Sequence, residues 1–275
     1  MTYIQAIILG LVRGLGWTLP ISESGHFLLA KKIFEIPDTV LYHPGLDFLL
    51  QAAVLLAVAF LYRTTLLRMV QGVGAMLPAL FKGTFRWHKA SRYQMMAVYL
   101  VLSMLPILGV WFLSRAVGLK QNLLLTGLML LLNAGILFLG THSLCKNWTI
   151  QDMKPGHAFK LGLFQGAALF LPGLSQTGIT LNMGINMGFK KEEALEYSFM
   201  LSLPVMTGSL LLRGGELGSL ASLPLGPALA AAGVALALAF GGVLLLRYLV
   251  KKERFGVLML YSAAVGVAAV IVNFM

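Results

Sequence analysis

Two short polar stretches interrupt an otherwise apolar chain, and their residue types suit the binding of an anion. Hydroxyl and amide groups are neutral hydrogen-bond donors. A broken helix adds free backbone N–H groups and a positive dipole end, which together favour a phosphate. Capping of the broken backbone is an alternative role for the same hydroxyls. The candidate binding residues of the two stretches are Ser22, Ser24, Ser175, Gln176, Thr177 and Thr180.

Arg13 lies on the apolar run before the first stretch. An arginine is costly there unless it reaches the interface, pairs with a carboxylate or meets an anion. It could therefore bind a lipid phosphate, or form an ion pair with Glu23 or Asp47. Gln51 follows Asp47 by one helical turn at the head of an apolar run, so both side chains could line the same cavity. A helix start explains Asp47 equally well.

The first stretch also carries two groups that could move protons, Glu23 and His26. Glu23 is the only carboxylate in either stretch, and it could act as a base, couple to protons or neutralise an arginine. His26 is either a packed residue with satisfied ring nitrogens or a partner of Glu23 in catalysis. If the chain is an enzyme, these two residues are its catalytic candidates.

Both polar stretches belong to a longer segment that occurs twice. Residues 9–25 and 161–178 share leucines, glycines and a proline in the same order, at a spacing that grows by one after the proline. Each copy reads as an apolar helix broken by Pro20 or Pro172, a hydroxyl-rich turn and a second apolar run. A span takes about 20 residues, and these runs are shorter. We therefore predict two re-entrant helix-loop-helix hairpins, with a kinked through-helix as the alternative.

Composition indicates a membrane protein. The chain has 275 residues, of which 58% are hydrophobic and 11% charged, and its mean hydropathy is +0.84. Soluble domains carry roughly 25% charged residues, so the predicted class is an all-α polytopic membrane protein with one domain, residues 1–275. The net charge of +11 lies mainly in loops, which indicates membrane orientation and not nucleic-acid binding. Lone Cys145 excludes an internal disulfide, and we expect it in a small core or interface position.

Six apolar runs are predicted to be transmembrane helices, beginning near Leu46, Tyr93, Leu123, Tyr197, Leu225 and Val257. Residues 69–81 form an amphipathic stretch that we expect at the interface. The basic loop around it and the one at 251–254 are assigned to the cytoplasm. Three spans separate the two broken segments, and an odd number inverts the second copy. We therefore predict an inverted 3+3 repeat, with residues 1–144 as repeat one and 158–275 as repeat two.

These segments resemble the bacterial undecaprenyl-diphosphate phosphatase family of the bacitracin-resistance type, over nearly the whole chain. The resemblance rests on Leu19-Pro20-Ile21-Ser22, Gly25-His26, Pro172-Gly173-Leu174-Ser175, and Tyr197-Ser198-Phe199-Met200-Leu201 with Pro204. It implies six spans and two re-entrant hairpins in inverted repeats, in the bacterial cytoplasmic (inner) membrane. It also implies removal of a phosphate from a C55 lipid diphosphate at the outer face, with a divalent metal.

The catalytic positions depart from that family. It has glutamates where this chain has Arg13 and Trp17, a serine nucleophile where this chain has Glu23, and a phosphate-binding arginine where this chain has Gln176. The matching polar residues are Ser22, His26, Ser175 and Thr180. Loss of both glutamates removes the carboxylate ligands that Mg²⁺ or Ca²⁺ would use, so no metal ligands are assigned.

Three functions follow, and the sequence leaves the choice between enzyme and non-enzyme open. The first is binding or translocation of a polyprenyl phosphate or diphosphate lipid without hydrolysis. The second is a phosphatase with a rearranged site using Glu23, His26 and Arg13, with Mg²⁺ or Ca²⁺. The third is a carrier for an unrelated small anion. The expected partners are the lipid and the membrane, without nucleic acid, and the chain is compatible with a homodimer.

Overall fold

The computed structural model describes residues 1–117, 122–143 and 146–274, so Cys145 lies outside the described residues. The described chain is built from helices, with one isolated β-bridge between Trp148 and Phe189. The α-helices are α1 Tyr3–Thr18, α2 Glu23–Ile33, α3 Asp38–Leu41, α4 Pro44–Leu61, α5 Arg63–Phe81, α6 Arg92–Val117, α7 Leu123–His142, α8 Pro155–Phe170, α9 Gln176–Met187, α10 Lys191–Leu212, α11 Leu225–Lys251 and α12 Val257–Asn273; short 3-10 helices occupy Trp87–Lys89, Ile150–Asp152 and Gly214–Ser222.

Helix lengths and composition confirm an all-α polytopic membrane protein. Within the described residues, six helices are long and apolar enough to cross a bilayer, namely α4, α5, α6, α7, α10 and α11. This set differs from the predicted spans at two helices. It includes α5, whose residues 69–81 we expected at the interface, and it omits α12, which has 17 residues.

Contacts of α5 and α12 explain that difference. The middle of α5 touches the first turn of α6, because Arg68 donates to the Tyr93 hydroxyl (2.8 Å) and Gln94 donates to the Gly72 carbonyl (3.0 Å). This contact favours a position of α5 at one end of the bundle. By contrast, α12 runs antiparallel along α7, since Gly256 adjoins Thr141 at one end and Gly266 adjoins Gly127 nearer the other. The short α12 therefore follows most of the length of a full span.

The repeated glycines are helix-packing residues. Gly10 and Gly14 of α1 face Ala231 and Ala235 of α11, and a Cβ at Gly14 would lie 2.7 Å from the Ala235 carbonyl oxygen. In the second copy, Gly162 faces the Ser103 carbonyl of α6. Small residues four apart let membrane helices approach closely, where lipid provides no hydrophobic drive for association. The Leu-Gly-Leu-x-x-Gly part of the repeat thus packs α1 on α11 and α8 on α6.

Residue contacts also give the helix directions. Helices α4 and α10 are antiparallel, because Asp47 near the start of α4 pairs with Arg213 after the end of α10. At the other end Thr65, in the first turn of α5 directly after α4, donates to Glu196 of α10 (2.7 Å). At this second end Arg92 of α6 pairs with Glu196 (2.6 Å), so α6 and α10 both begin there. The guanidinium of Arg247 lies 4.0 Å from the Tyr62 ring, so α4 and α11 both end there.

Since α1 is parallel to α11 and α8 is parallel to α6, the two broken segments run in opposite directions. This arrangement supports the proposed inverted repeat. The end where α4 and α11 stop also carries the basic loops at 82–92 and 251–254. We call it the basic end, and the positive-inside rule assigns it to the cytoplasm.

Replacement of Gly14 by Ala tests the packing of α1 on α11. The added methyl group meets the Ala235 carbonyl and forces the helices apart, so we expect a loss of about 1–3 kcal/mol and a lower thermal midpoint in detergent. The matched control is Gly233→Ala on α11, where nothing lies within 4 Å of an added Cβ. Equal midpoints for the two variants would contradict the close approach.

Candidate functional site

Each repeated segment breaks two residues before a proline, since α1 ends at Thr18 and α8 at Phe170, and a serine caps the helix that follows. Pro20 cannot continue α1, and the Ser22 hydroxyl accepts from the Gly25 N–H (3.3 Å) at the start of α2. The second break has Gly173 at φ +100°, a left-handed conformation that favours glycine. Ser175 then accepts from the Gly178 N–H (3.1 Å). These hydroxyls cap backbone groups, the alternative to anion binding that the sequence offered.

The two breaks bind each other directly. The Thr177 hydroxyl donates to the Trp17 carbonyl (3.0 Å), and the Ser24 hydroxyl accepts from the Gly173 N–H (2.9 Å). Each bond joins one segment to the other across more than a hundred residues of sequence. The polar groups released by one break are therefore partly satisfied by the other.

Asn133 of α7 completes this junction. Its Nδ2 donates to the Pro20 carbonyl (3.0 Å), and its Oδ1 accepts from the Ser175 N–H (3.1 Å). The side chain is fully buried. One amide therefore satisfies a carbonyl from the first break and an N–H from the second, and it fixes both breaks to the same turn of α7.

A cavity of about 610 Å³ opens beside the junction. Charged and polar side chains from both segments line it, together with residues from the ends of α4 and α10; they are Arg13, Glu23, Ser24, Asp47, Ser175, Gln176 and Arg213. A smaller cavity of about 120 Å³ shares Arg13, Glu23 and Gln176 and adds Gln51. Asp47 and Arg213 lie at the ends of their helices remote from the basic end, so the large cavity extends from the junction towards the opposite end.

The ionised groups of the cavity form one chain of alternating charge. Arg13 pairs with Glu23 (2.6 Å) and with Asp47, and Asp47 also pairs with Arg213. Arg213 continues to Glu216 (2.8 Å). The series links α1, α2, α4 and the end of α10. The sequence offered Glu23 and Asp47 as possible ion-pair partners of Arg13, and in the structure Arg13 pairs with both.

Arg13 is the most enclosed member of this series. Its residue is 8% exposed, and its guanidinium lies 5.2 Å from the Phe27 ring centroid. Removing one partner of a buried ion pair is costly because it leaves an uncompensated charge. The Arg13 Nε is nevertheless buried without a hydrogen-bond partner among the residues that the structure describes. A buried donor of this kind is a place where a ligand acceptor would be stabilising.

The predicted site residues divide into two groups. Arg13, Glu23, Ser24, Ser175 and Gln176 line the large cavity and Gln51 the small one.

The other predicted residues have structural contacts. Ser22 caps α2, Thr177 joins the breaks, and Thr180 donates to Gln165 (3.2 Å). Their assignment to binding stays a prediction that this geometry does not support.

His26 lies away from the lining of both cavities. Its Nδ1 bonds to the Ser22 carbonyl (2.7 Å), so this nitrogen donates. In the neutral ring, Nε2 then accepts from the Tyr261 hydroxyl (2.8 Å), and the two rings stack at 5.6 Å. Both ring nitrogens are therefore engaged, Nδ1 within α2 and Nε2 in the packing of α2 on α12. The catalytic assignment of His26 stays a prediction without support from its position.

Arg213 is the cavity residue that sequence analysis missed. It follows α10 directly and precedes a glycine-rich loop, so in sequence it is indistinguishable from a solvated loop charge. Its place depends on the antiparallel packing of α4 on α10, which brings it to Asp47. The one sequence signal for this part of the cavity was the position of Asp47 at the head of a span, one helical turn before Gln51.

The residues present do not fit a divalent metal site. The two cavity carboxylates, Glu23 and Asp47, are separated by Arg13, which pairs with both. A cation would have to displace that arginine. Among the described residues there is no group of three or more His, Cys, Asp or Glu side chains that could hold a metal ion.

Together, the fold and site define a polytopic α-helical membrane protein in which two oppositely directed broken-helix hairpins meet beside a charged cavity. Comparison with known proteins agrees with this class. The family model described as Bacitracin resistance protein BacA matches residues 6–268. The chain belongs to this family, the undecaprenyl-diphosphate phosphatases.

Three relatives illustrate the similarity. The chain is 33% identical over 228 residues to the undecaprenyl-diphosphatase of Desulfosudis oleivorans, which covers 80% of each chain. It is 33% identical over 222 residues to that of Moorella thermoacetica, covering 79% of this chain and 78% of the relative. The undecaprenyl-diphosphatase of Bacteroides fragilis is 31% identical over 283 aligned residues, covering 99% of both chains.

Replacement of Asn133 by Ala tests the junction. It leaves the Pro20 carbonyl and the Ser175 N–H without their partner, and each buried unsatisfied group costs about 1–3 kcal/mol. We expect a loss of about 2–4 kcal/mol in unfolding free energy, measured by denaturant titration in detergent. Asn273→Ala, at an exposed amide at the end of α12, is the control and should lose less than about 1 kcal/mol. Similar losses in both variants would contradict the bridging role.

Proposed function

We propose that this chain binds the phosphate headgroup of a polyprenyl phosphate or diphosphate lipid in the large cavity, and translocates the lipid without hydrolysing it. The observation that carries the proposal is the buried Arg13, which lines the cavity and whose Nε has no hydrogen-bond partner within the described part of the chain. A guanidinium is a planar fork of donors that matches a phosphate bidentately. Arg213 adds a second guanidinium nearer the mouth.

The cavity also suits the lipid part of such a ligand. One flank is apolar and would accept the first carbons of a prenyl chain; it consists of Phe27, Leu28, Leu41, Leu169 and Leu174. A charged pocket with an apolar flank favours an amphiphile over a free inorganic anion. This contrast separates the proposal from a carrier of an unrelated small anion.

The contacts of the candidate catalytic groups argue against hydrolysis. The Glu23 carboxylate is held by Arg13 at 2.6 Å, so attack or proton abstraction would first break an ion pair. The Ser24 hydroxyl accepts from Gly173 and lies 3.3 Å from the Ser22 hydroxyl, with no base at the cavity to activate it besides the paired carboxylates. His26 is engaged with Tyr261.

Two further observations support movement of the lipid. Oppositely directed broken hairpins that meet at one cavity are a feature of secondary transporters, although a fold alone does not establish function. The cavity extends away from the basic end, which the charge rule places in the cytoplasm. We therefore also propose that the chain lies in the bacterial inner membrane and receives the headgroup from the outer leaflet.

A phosphatase with a rearranged site is the second candidate. Family membership favours it, because the relatives are named undecaprenyl-diphosphatase. The position of Glu23 in the cavity wall favours it too. In this candidate Glu23 would be the nucleophile or the base, and Arg13 would hold the phosphate.

Two measurements on purified protein separate the candidates. The first is binding of C55 phosphate and C55 diphosphate in nanodiscs. Arg13→Gln should weaken it by at least about tenfold, since a charge-assisted hydrogen bond contributes about 1.5–3 kcal/mol. Arg247→Gln is the matched control at the basic end and should bind as the parent does. Circular dichroism and thermal midpoints check that each variant is folded.

The second measurement is phosphate release from C55 diphosphate with Mg²⁺, with Ca²⁺ and with a chelator. We expect no release above a protein-free control. Release that Glu23→Gln abolishes would overturn the non-catalytic proposal in favour of the phosphatase. Absence of both binding and release would reject both candidates and favour the small-anion carrier.

A further inference from the structure

The charges in the large cavity balance before any ligand enters. Two arginines, Arg13 and Arg213, face two carboxylates, Glu23 and Asp47, and every one of these groups lines the cavity. Glu216 adds a third carboxylate behind Arg213. The wall is therefore a set of fixed charges of both signs and not a positively charged patch.

A phosphate alone would use the arginines of this wall but not its carboxylates. Its oxygens can take the guanidinium donors only by displacing a carboxylate or by lying beside one. Glu23 and Asp47, whose side chains are only 19% and 28% exposed, would then face a negative ligand where the surroundings screen the repulsion less than bulk water does. Desolvated charges without a partner are strongly unfavourable.

A ligand with one charge of each sign removes this conflict. The phosphate takes the arginine donors, and a cationic group takes the carboxylates that those donors release. Each ion pair within the wall is exchanged for an ion pair with the ligand, and the net charge of the cavity stays unchanged. The alternating order of Glu23, Arg13, Asp47 and Arg213 places opposite charges next to each other, as a short linker between two ligand charges requires.

We propose that the cavity takes a zwitterionic lipid headgroup, with a phosphodiester beside Arg13 and Arg213 and a primary ammonium beside Glu23 and Asp47. This inference rests on the proposed function and specifies its substrate class. Arg13 lines the cavity and is more than nine-tenths buried, and among the described residues its Nε is a donor that no carboxylate occupies.

The size and aromatic lining of the cavity agree with a headgroup larger than a phosphate. The volume of about 610 Å³ lies within the range of about 300–1,000 Å³ that is typical of small-molecule sites, so the cavity can hold more than a phosphate. Trp17 and Tyr42 also line it. An aromatic face attracts an ammonium group, more strongly when both are desolvated.

The test compares two synthetic lipids that differ at one group. Both are polyprenyl phosphodiesters with the same chain, one a 2-aminoethyl ester and the other a 2-hydroxyethyl ester. The phosphate charge and the tail are equal, so a difference in affinity reports the ammonium. We expect the aminoethyl ester to bind at least about tenfold more tightly to the unmodified protein in nanodiscs at pH 7, and N-acetylation of its amine to remove the advantage.

Variants locate the ammonium. Asp47→Asn and Glu23→Gln should each reduce the preference, at least one of them to within about twofold. Glu253→Gln, at an exposed carboxylate of the basic end, should keep it. The comparison of lipids on the unmodified protein does not depend on whether these variants fold. A preference that survives both substitutions in folded protein would overturn the assignment of the carboxylates.

The other outcomes separate this inference from the proposed function. Equal binding of both esters, lost in Arg13→Gln, would overturn the zwitterionic headgroup and leave phosphate recognition intact. Binding of neither ester nor of C55 phosphate would reject both. Competition by phosphatidylethanolamine, but not by phosphatidylglycerol, would support the zwitterionic headgroup and identify its source as a bilayer phospholipid instead of a polyprenyl lipid.

Discussion

Backbone N–H and C=O groups that are not bonded within a helix need other hydrogen-bond partners inside a membrane, and the rest of the structure depends on this requirement. The breaks at Pro20 and Pro172 release carbonyl and N–H groups that lipid cannot satisfy. The two breaks meet, bond to one another and share the amide of Asn133. Neither segment could keep the polar groups of its break buried without a partner. This requirement explains why two segments that are distant in sequence pack together. The cavity lies beside the two breaks, where the chain is not helical.

Buried charges need partners for the same reason, and this need explains the ion pairs of the cavity. Arg13 is tolerated within the protein because Glu23 and Asp47 lie on either side of it. Such a series holds α1, α2 and α4 together, but a ligand can replace its members one for one. In the proposed function, the same side chains are both structural ion pairs and the groups that bind the charged headgroup.

Much of the architecture could be predicted from the sequence, because it follows from features that act locally. Pro20 and Pro172 fix the breaks, and the basic loops together with an odd number of spans indicate opposite directions. The roles of single side chains were harder to predict. Ser22, Thr177 and His26 look like ligand groups in sequence, yet their partners come from helices that only the fold brings near. Arg213 was missed for the same reason, since its charge acquires a role only beside Asp47.

The central claim is that both hairpins contribute to one cavity that opens away from the basic end. Gln176 tests it most directly, because its segment enters from the basic end while its side chain lines the cavity. The lone Cys145 can be replaced by Ser, and Gln176→Cys then gives a single thiol. In intact cells an impermeant thiol reagent should label Gln176→Cys from outside and leave the buried Thr180→Cys unlabelled. Labelling of Gln176→Cys only from the cytoplasmic face of inverted vesicles would contradict the account.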